Sequence, residues 1–100
     1  MLEITRLINK DIEQVVALEE KFLGETLGQE MLETELNNQN MCFLTAKSND
    51  IVLGYIGAYI IEDSMEILNF VVDEAYQRLG IGTLLFNTLL DLYPKTLSVV

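Results

Sequence analysis

The sequence predicts an α/β (α+β) fold in which a mixed, mainly antiparallel sheet is flanked by helices. Two helical patterns follow a first strand pattern near the N-terminus. Three consecutive strand patterns come next, and the short turns between them are typical of an antiparallel meander. One more helix and the beginning of one more strand complete the 100 residues. This length predicts a single domain over residues 1–100.

The first strand and helix are predicted from alternation and from a start signal. Residues 2–7 alternate as a strand does. Asn9 or Asp11 is the candidate N-cap, and Gln14, three residues after Asp11, completes a capping-box pattern for a helix that extends to Phe22. The charged side chains of this helix are expected to face water: Glu13, Glu19, Glu20 and Lys21.

A second, shorter helix is predicted after a glycine turn. Gly24 and Gly28 bracket the turn, and residues 29–36 form the helix. Asn37 and Asn38 are expected to end it in the left-handed conformation that asparagine tolerates. The many acidic residues of both helices favour solvated faces over binding sites.

The meander is predicted over residues 41–72. Its strands are Met41 to Ala46, Ile51 to Ile61 and Met65 to Val72. Polar turns at residues 48–50 and 62–64 separate them. Consecutive strands joined by turns this short pair antiparallel.

The last predicted elements are a buried helix and an incomplete strand. Thr83 to Leu92 is apolar on most of its circumference, and Pro94 then ends the helix. Residues 96–100 are predicted to begin a fifth strand. The predicted fold is truncated after the start of this strand. Because chain ends are usually polar, we expect further chain after Val100.

Composition excludes several classes of partner and site. Sixteen acidic against six basic residues give a net charge of −10 and a pI near 4.1. This charge repels phosphate backbones and anionic membranes, so it disfavours nucleic acid and membrane partners and favours a basic peptide or an amine. The chain has no histidine, the commonest general base and metal ligand, and no metal site is predicted.

The single cysteine predicts a cytoplasmic protein without an internal disulfide. Cys42 lies in the apolar run from Met41 to Leu44, which favours a buried thiol in the core. A catalytic nucleophile is the alternative, but no histidine is present to form a thiolate pair. No apolar run approaches the ~20 residues that a membrane span needs.

A glycine-bearing loop precedes the third helix, and it is the strongest candidate for a ligand site. The backbone amides at a helix start lack intrahelical acceptors and favour anions. Gly80 and Gly82 leave room there, and Arg78 is the only cation of the loop. The alternative is a helix entry whose glycines only permit a tight turn.

Two common phosphate motifs are excluded by spacing. A Walker loop has Lys and then Ser or Thr after its last glycine, whereas Thr83 and Leu84 follow Gly82. A dinucleotide fingerprint has a third small residue where Leu85 stands. A different cofactor that carries phosphates fits better.

The loop Gln77-Arg78-Leu79-Gly80-Ile81-Gly82 matches the Q/R-x-x-G-x-G/A signature of the GNAT N-acetyltransferase family. The preceding run from Ile67 to Asp73 resembles the cofactor-binding strand of that family. The order of elements over the whole chain is also similar. Within the family, the residues around Leu68–Asp73 and Tyr76–Arg78 most resemble the bacterial ribosomal-protein alanine N-acetyltransferases (RimI-like).

The resemblance implies acetyl-CoA as the co-substrate. Its pyrophosphate would lie on loop residues, and its pantetheine would pair with the strand as an added strand does. A backbone N–H near Val72 would polarise the thioester carbonyl. An amine, such as the N-terminal α-amine of a ribosomal protein, would attack directly through a tetrahedral intermediate. The implied cofactor-binding residues are Phe70, Val71, Val72, Gln77, Arg78, Leu79, Gly80, Ile81, Gly82 and Thr83.

Glu66 is the candidate catalytic base, because its position resembles the catalytic carboxylate of the histone-acetylating members. The two-residue period of a strand places it on one face with Leu68 and Phe70. A carboxylate at the rim of the sheet is the alternative. The candidate acids for the leaving thiolate are three tyrosines, each of which is alternatively a packing aromatic: Tyr55, Tyr59 and Tyr76.

The chain departs from the family at its end. Members continue beyond the fifth strand, and the ribosomal alanine enzymes take a Glu and a Tyr from that region. The chain is therefore expected to be a fragment, or a shortened member completed by a partner or a second copy. Its alternative function is a non-catalytic acyl-CoA-binding or oligomerising module, with a homodimer formed through the open sheet edge at residues 96–100.

Overall fold

The computed structural model describes residues 1–100 and contains a five-stranded sheet with three α-helices. The sheet order is β1-β2-β3-β4-β5, with antiparallel pairs throughout except for the parallel pair of β4 and β5. The predicted mixed, mainly antiparallel sheet and its meander are confirmed. The elements are β1 Leu2–Arg6, α1 Ile12–Phe22, α2 Gln29–Glu35, β2 Met41–Ser48, β3 Ile51–Ile61, β4 Ser64–Val72, α3 Ile81–Leu92 and β5 Ser98–Val99.

The helices cover the two faces of the sheet and form two cores. On the α3 face, α3 packs against the sheet through Ile81, Leu85, and Leu89. On the α1/α2 face, α1 and α2 bury Ile12 and Leu32 among other apolar residues. Alternating strand residues supply both cores, as the two-residue period requires. No helix is both long enough and apolar enough to span a membrane.

A β-bulge interrupts the pairing of β3 and β4. Gly57 is opposite Asn69, whereas the next residue, Ala58, is opposite Ile67. Leu68 is therefore the extra residue of β4. One extra residue shifts the inward and outward alternation of the strand by one position.

The bulge separates two predicted site residues that the sequence places together. Glu66 lies opposite Tyr59, on the α1/α2 face, whereas Phe70 lies opposite Ile56, on the α3 face. The expectation that Glu66 shares one face with Leu68 and Phe70 is wrong, because the strand does not keep its two-residue period through the bulge.

The predicted capping box at the start of α1 is also wrong. The Asp11 side chain makes no capping hydrogen bond; it accepts from Lys47 Nζ at 2.6 Å. The Gln14 side chain donates to Asp50 O at 3.1 Å and accepts from Val52 N at 2.9 Å. Both side chains join α1 to the β2–β3 hairpin, and these tertiary partners replace the local cap.

Several turn conformations and element boundaries differ from the prediction. Asn37 and Asn38 have no positive φ, whereas Asn49 and Asp50 do, because they form the tight β2–β3 turn. β2 accordingly continues to Ser48. The predicted strand over Thr96 to Val100 is reduced to the two residues of β5.

Candidate functional site

The predicted cofactor residues converge where β4 ends and α3 begins. A cavity of about 380 Å³ lies there, between the end of β4, the following loop and the first turn of α3. Of the ten residues predicted to bind the cofactor, only Leu79 does not line it; its side chain is 70% exposed. Tyr76, one of the candidate acids, also lines the cavity. The lining residues are Phe70, Val71, Val72, Tyr76, Gln77, Arg78, Gly80, Ile81, Gly82 and Thr83.

Hydrogen bonds from side chains and backbone hold the loop against β3 and β4. Asp73 N donates to Leu53 O at 2.7 Å, and the Asp73 carboxylate accepts from Ala75 N at 3.0 Å. The Gln77 side chain donates back to Val72 O at 3.1 Å. These bonds fix the distance between the strand and the start of α3, so the cavity is part of the fold.

The loop turns into α3 through left-handed backbone. Arg78 has φ 69° and Gly80 has φ 84°. Entry through Gly80 lets α3 begin at Ile81, two residues earlier than predicted. The first hydrogen bond of the helix runs from Leu84 N to Gly80 O (2.9 Å), so the N–H groups of residues 81–83 have no backbone acceptor. Free N–H groups at the positive end of a 12-residue helix favour a bound anion.

Gly82 keeps the centre of the cavity open. A Cβ added there would lie 3.5 Å from Phe70 Cζ and 3.7 Å from Val72 Cγ2. The Phe70 ring stacks against Phe86 of α3, with 6.5 Å between centroids. One wall is therefore aromatic, and a side chain at Gly82 would fill the space in front of it.

The edge of β4 beside the cavity has unpaired backbone groups. The bonds to the C-terminal segment end at Ile67, whose N–H donates to Val100 O at 2.8 Å. Asp73 N–H points to β3, so by alternation Phe70 and Val72 direct their N–H groups away from β3. An extended, amide-bearing ligand could pair with this edge as an added strand.

Glu66 lies outside this cavity. It is exposed and lines a separate cavity of about 280 Å³, together with Tyr59 and the C-terminal Val100 among others. The open β4 edge lies between the two cavities. Groups on the α3 face and groups on the α1/α2 face can therefore reach a ligand at this edge from opposite sides.

Sequence reasoning missed one polar residue near the site. Glu19 is fully buried, so the expectation that it faces water is wrong. Its carboxylate accepts from Tyr55 Oη, from Asn69 Nδ2 at 2.6 Å, and from the N–H groups of Leu27 (3.2 Å) and Gly28 (3.4 Å). Burial, and secondarily the Glu19 carboxylate, raise the pKa of Tyr55, whose hydroxyl therefore remains a donor.

Cys42 is a buried thiol in the core, as predicted. Its side chain is 1% exposed and packs on the α3 face. Burial raises the pKa of the thiol, and its effect outweighs the lowering effects of Tyr93 and of Arg6, whose Nη1 lies 3.7 Å from the sulfur. A neutral, covered thiol is not a nucleophile, and this excludes the alternative interpretation.

The family follows from a comparison with known proteins. The sequence model of the Acetyltransferase (GNAT) family matches residues 12–98. The chain belongs to this family. No curated protein matches this GNAT chain in sequence.

Solved structures share the fold at low sequence identity. An aminoglycoside acetyltransferase from an uncultured soil metagenomic sample has a TM-score of 0.83 at 24% identity; the match covers 99% of this GNAT chain and 75% of that protein. PaiA N-acetyltransferase from Thermoplasma acidophilum, in complex with coenzyme A, has a TM-score of 0.82 at 21% identity (95% and 73% covered).

A third neighbour is the ribosomal-protein-S18-alanine N-acetyltransferase from Escherichia coli. Its TM-score is 0.81 at 20% identity, and the match covers 95% of this GNAT chain and 61% of that protein. The E. coli enzyme and the aminoglycoside acetyltransferase are similar to the chain to almost the same degree. The comparisons therefore support the family and the fold, without distinguishing among its acceptors.

Proposed function

We propose that this GNAT protein transfers an acetyl group from acetyl-CoA to an amine. The observation that supports this most directly is the cavity between β4 and α3 with its free helix-start N–H groups. The combination of an anion-binding end and an adjacent open strand edge suits a ligand with phosphates at one end and amides along its arm.

The bound cofactor would use the two parts of this site in sequence. The pyrophosphate accepts from the N–H groups of residues 78–83, and the exposed Arg78 guanidinium adds a charged donor. The pantetheine arm runs along the edge at residues 70–72 and leaves the thioester beside the Val72 N–H. That N–H polarises the carbonyl and stabilises the oxyanion as it forms.

The amine is proposed to approach from the α1/α2 face. The cofactor occupies the α3 side of the edge, so the opposite side of the thioester is left for the attacking nitrogen. The nitrogen bonds to the acetyl carbon, the carbon–sulfur bond breaks, and coenzyme A leaves as a thiolate. Glu66, on the α1/α2 face, accepts the proton of the amine directly or through water. Of the three candidate tyrosines, Tyr76 lines the cofactor cavity, and it is therefore the proposed proton donor to the thiolate.

The proposed acceptor is a cationic amine, in particular the N-terminal α-amine of a protein such as a ribosomal protein. The net charge of −10 favours positively charged acceptors. Two structural neighbours are named for their acceptors, one for a ribosomal-protein alanine and one for aminoglycosides. Both acceptors are amines. We further propose a cytoplasmic location, and a homodimer through the sheet edge formed by residues 96–100, which is separate from the cofactor edge at residues 70–72.

Two measurements test the proposal in order. Titration calorimetry with coenzyme A and with acetyl-CoA tests the cavity, and absence of heat with folded protein contradicts the assignment. Release of coenzyme A is then measured with a basic N-terminal peptide, an aminoglycoside and a small polyamine. Transfer to the peptide supports the preferred acceptor. Binding without turnover on any amine supports the alternative, a non-catalytic acyl-CoA-binding module.

A further inference from the structure

The Glu19 cluster, formed by the side chains of Glu19, Tyr55 and Asn69 and the N–H groups of Leu27 and Gly28, is the most polar part of the interior. Glu19 and Tyr55 are both 0% exposed. Four donors converge on one carboxylate, and the structure leaves no buried side-chain polar atom without a partner. A buried carboxylate is tolerated only where donors replace its lost hydration.

No cation neutralises the Glu19 carboxylate. All of its donors are neutral, and they come from three places that are distant in the sequence: β3, β4 and the α1–α2 loop. Hydrogen bonds from neutral groups to a buried charge are strong and directional. The carboxylate therefore fixes the positions of these three segments relative to each other more tightly than apolar contact would.

The α1–α2 loop depends on this carboxylate for its conformation. It contains two glycines with positive φ, Gly24 (φ 74°) and Gly28 (φ 88°). Glycines allow the unfolded loop many backbone conformations. The loop residues 23–26 are exposed. The bonds from Glu19 to Leu27 N and Gly28 N hold the end of the loop against the sheet.

The other end of the cluster reaches the proposed reaction edge. Asn69 directly follows the bulge residue Leu68 and directly precedes Phe70, whose backbone faces the open edge. Because the bulge shifts the alternation, Asn69 and Glu66 lie on the same α1/α2 face, opposite Gly57 and Tyr59. The cluster thus links the loop to the part of β4 that the acceptor amine would approach.

We propose that Glu19 is a positioning residue for the acceptor side of the site. This role depends on the proposed acetyl transfer. In this role, Glu19 holds the α1–α2 loop and the bulged part of β4 in one arrangement. Glu19 does not touch substrate, because it is fully covered and its oxygens are occupied by donors. Its loss loosens the acceptor side and leaves the cofactor cavity, on the other face, unchanged.

The test compares Glu19→Gln with Asp11→Asn. Both residues are buried carboxylates of the α1 region, 0% and 2% exposed, but Asp11 pairs with Lys47 of β2 and has no bond to β4 or to the loop. We expect Glu19→Gln to raise the KM for the amine about tenfold while the Kd for coenzyme A stays within about twofold of wild type. Asp11→Asn is expected to lower stability without this KM effect.

Two further measurements separate positioning from general destabilisation. Tyr55→Phe removes one donor with little change of shape, and we expect a smaller KM rise in the same direction. Amide hydrogen exchange at Leu27 and Gly28 is expected to accelerate in Glu19→Gln and not in Asp11→Asn. If KM rises equally in Glu19→Gln and Asp11→Asn, or if exchange at Leu27 and Gly28 is unchanged, the positioning role is wrong. Failure of wild type to bind coenzyme A instead contradicts the proposed function itself.

Discussion

The two faces of the sheet are built from different interactions. The α3 face buries eleven residues, all of them apolar. The α1/α2 side also has an apolar core, but the three buried polar side chains of the molecule, Asp11, Glu19 and Thr45, lie on this side. Apolar packing accepts exchanges of similar volume, whereas a buried hydrogen-bonded group requires its particular partners.

This difference matches the proposed division of function. On the α3 side, recognition of the proposed cofactor would depend mainly on backbone groups at the start of α3, so many side chains there could change without removing a donor. On the α1/α2 side, the arrangement depends on individual side chains such as Glu19. We therefore expect cofactor binding to be sensitive mainly to added bulk or charge, and the acceptor side to be sensitive to the loss of single polar atoms.

The largest effect is expected for Gly82→Asp, on the α3 side. The new Cβ lies within contact distance of Phe70 Cζ (3.5 Å), and its carboxylate faces the same free N–H groups that would hold the pyrophosphate. Repulsion and lost volume together should abolish coenzyme A binding, with a loss of more than about 100-fold in affinity by calorimetry.

Two variants control for the effect of Gly82→Asp. Asn87→Asp adds the same charge on the exposed side of α3 and should leave binding unchanged. Gly82→Ala adds only a Cβ at ordinary contact distance and should weaken binding slightly. Undiminished binding by Gly82→Asp would mean that the cofactor does not use this helix start.

The second-largest effect is expected for Lys47→Met, which removes the ion pair between Lys47 and Asp11 on the α1/α2 side. In Lys47→Met, Asp11 keeps its buried position but loses the Nζ that lies 2.6 Å from its carboxylate. Removing one partner of a buried pair costs about 3 kcal/mol in the free energy of unfolding, measured with urea. Lys10→Met is the control, since Lys10 is 62% exposed and lies 3.8 Å from Asp50.

The same pair predicts a pH dependence. The hydrogen bond to Asp11 raises the pKa of Lys47 above its usual value. A raised pKa means that the pair stabilises the fold fully below about pH 10.4, the ordinary value for lysine, and that this stabilisation is lost as the pH rises through the folded pKa. The difference in unfolding free energy between wild type and Lys47→Met should therefore shrink at high pH; a constant difference contradicts the ion pair.

The order of elements could be predicted because it depends on local patterns. Alternation and the polar turns located the meander, and two glycines before an apolar helix located the cavity between β4 and α3. Glu19 is charged, which predicts exposure, but its position along α1 predicts burial, and position decides. It lies seven residues after Ile12 and four after Val15, on the buried stripe of α1, and this spacing was the available signal.

Features that depend on pairing between distant segments could not be predicted. The bulge at Leu68 arises from the register of β4 against β3, and nothing in the run from Ile67 to Asp73 indicates an extra residue. Gln14 matches a capping box by spacing, yet it bonds to the β2–β3 hairpin, which lies 36 to 38 residues away in the sequence. In both cases, tertiary partners replaced the local rule.

The next effect in size is expected for Glu66, which is exposed on the α1/α2 face. Glu66→Gln keeps the shape of the side chain and removes its basicity, so turnover with an amine should fall about 100-fold while coenzyme A binding is unchanged. Glu62→Gln, in the exposed β3–β4 turn, removes the same charge and should leave turnover unaffected. Unchanged turnover in Glu66→Gln would remove Glu66 as the base and leave water or another group in that role.

The smallest effect is expected for Cys42→Ala, within the apolar α3 face. The substitution removes one sulfur from a packed core and should cost about 1 kcal/mol in the free energy of unfolding. Acetyl transfer should be unchanged, because the raised pKa and the burial of the thiol keep it from reacting. Iodoacetamide should correspondingly label wild type only as fast as the protein opens, and labelling should accelerate in urea. Rapid labelling of the folded protein, or loss of turnover in Cys42→Ala with stability retained, would show that this face contributes a reactive side chain and is not a purely apolar support.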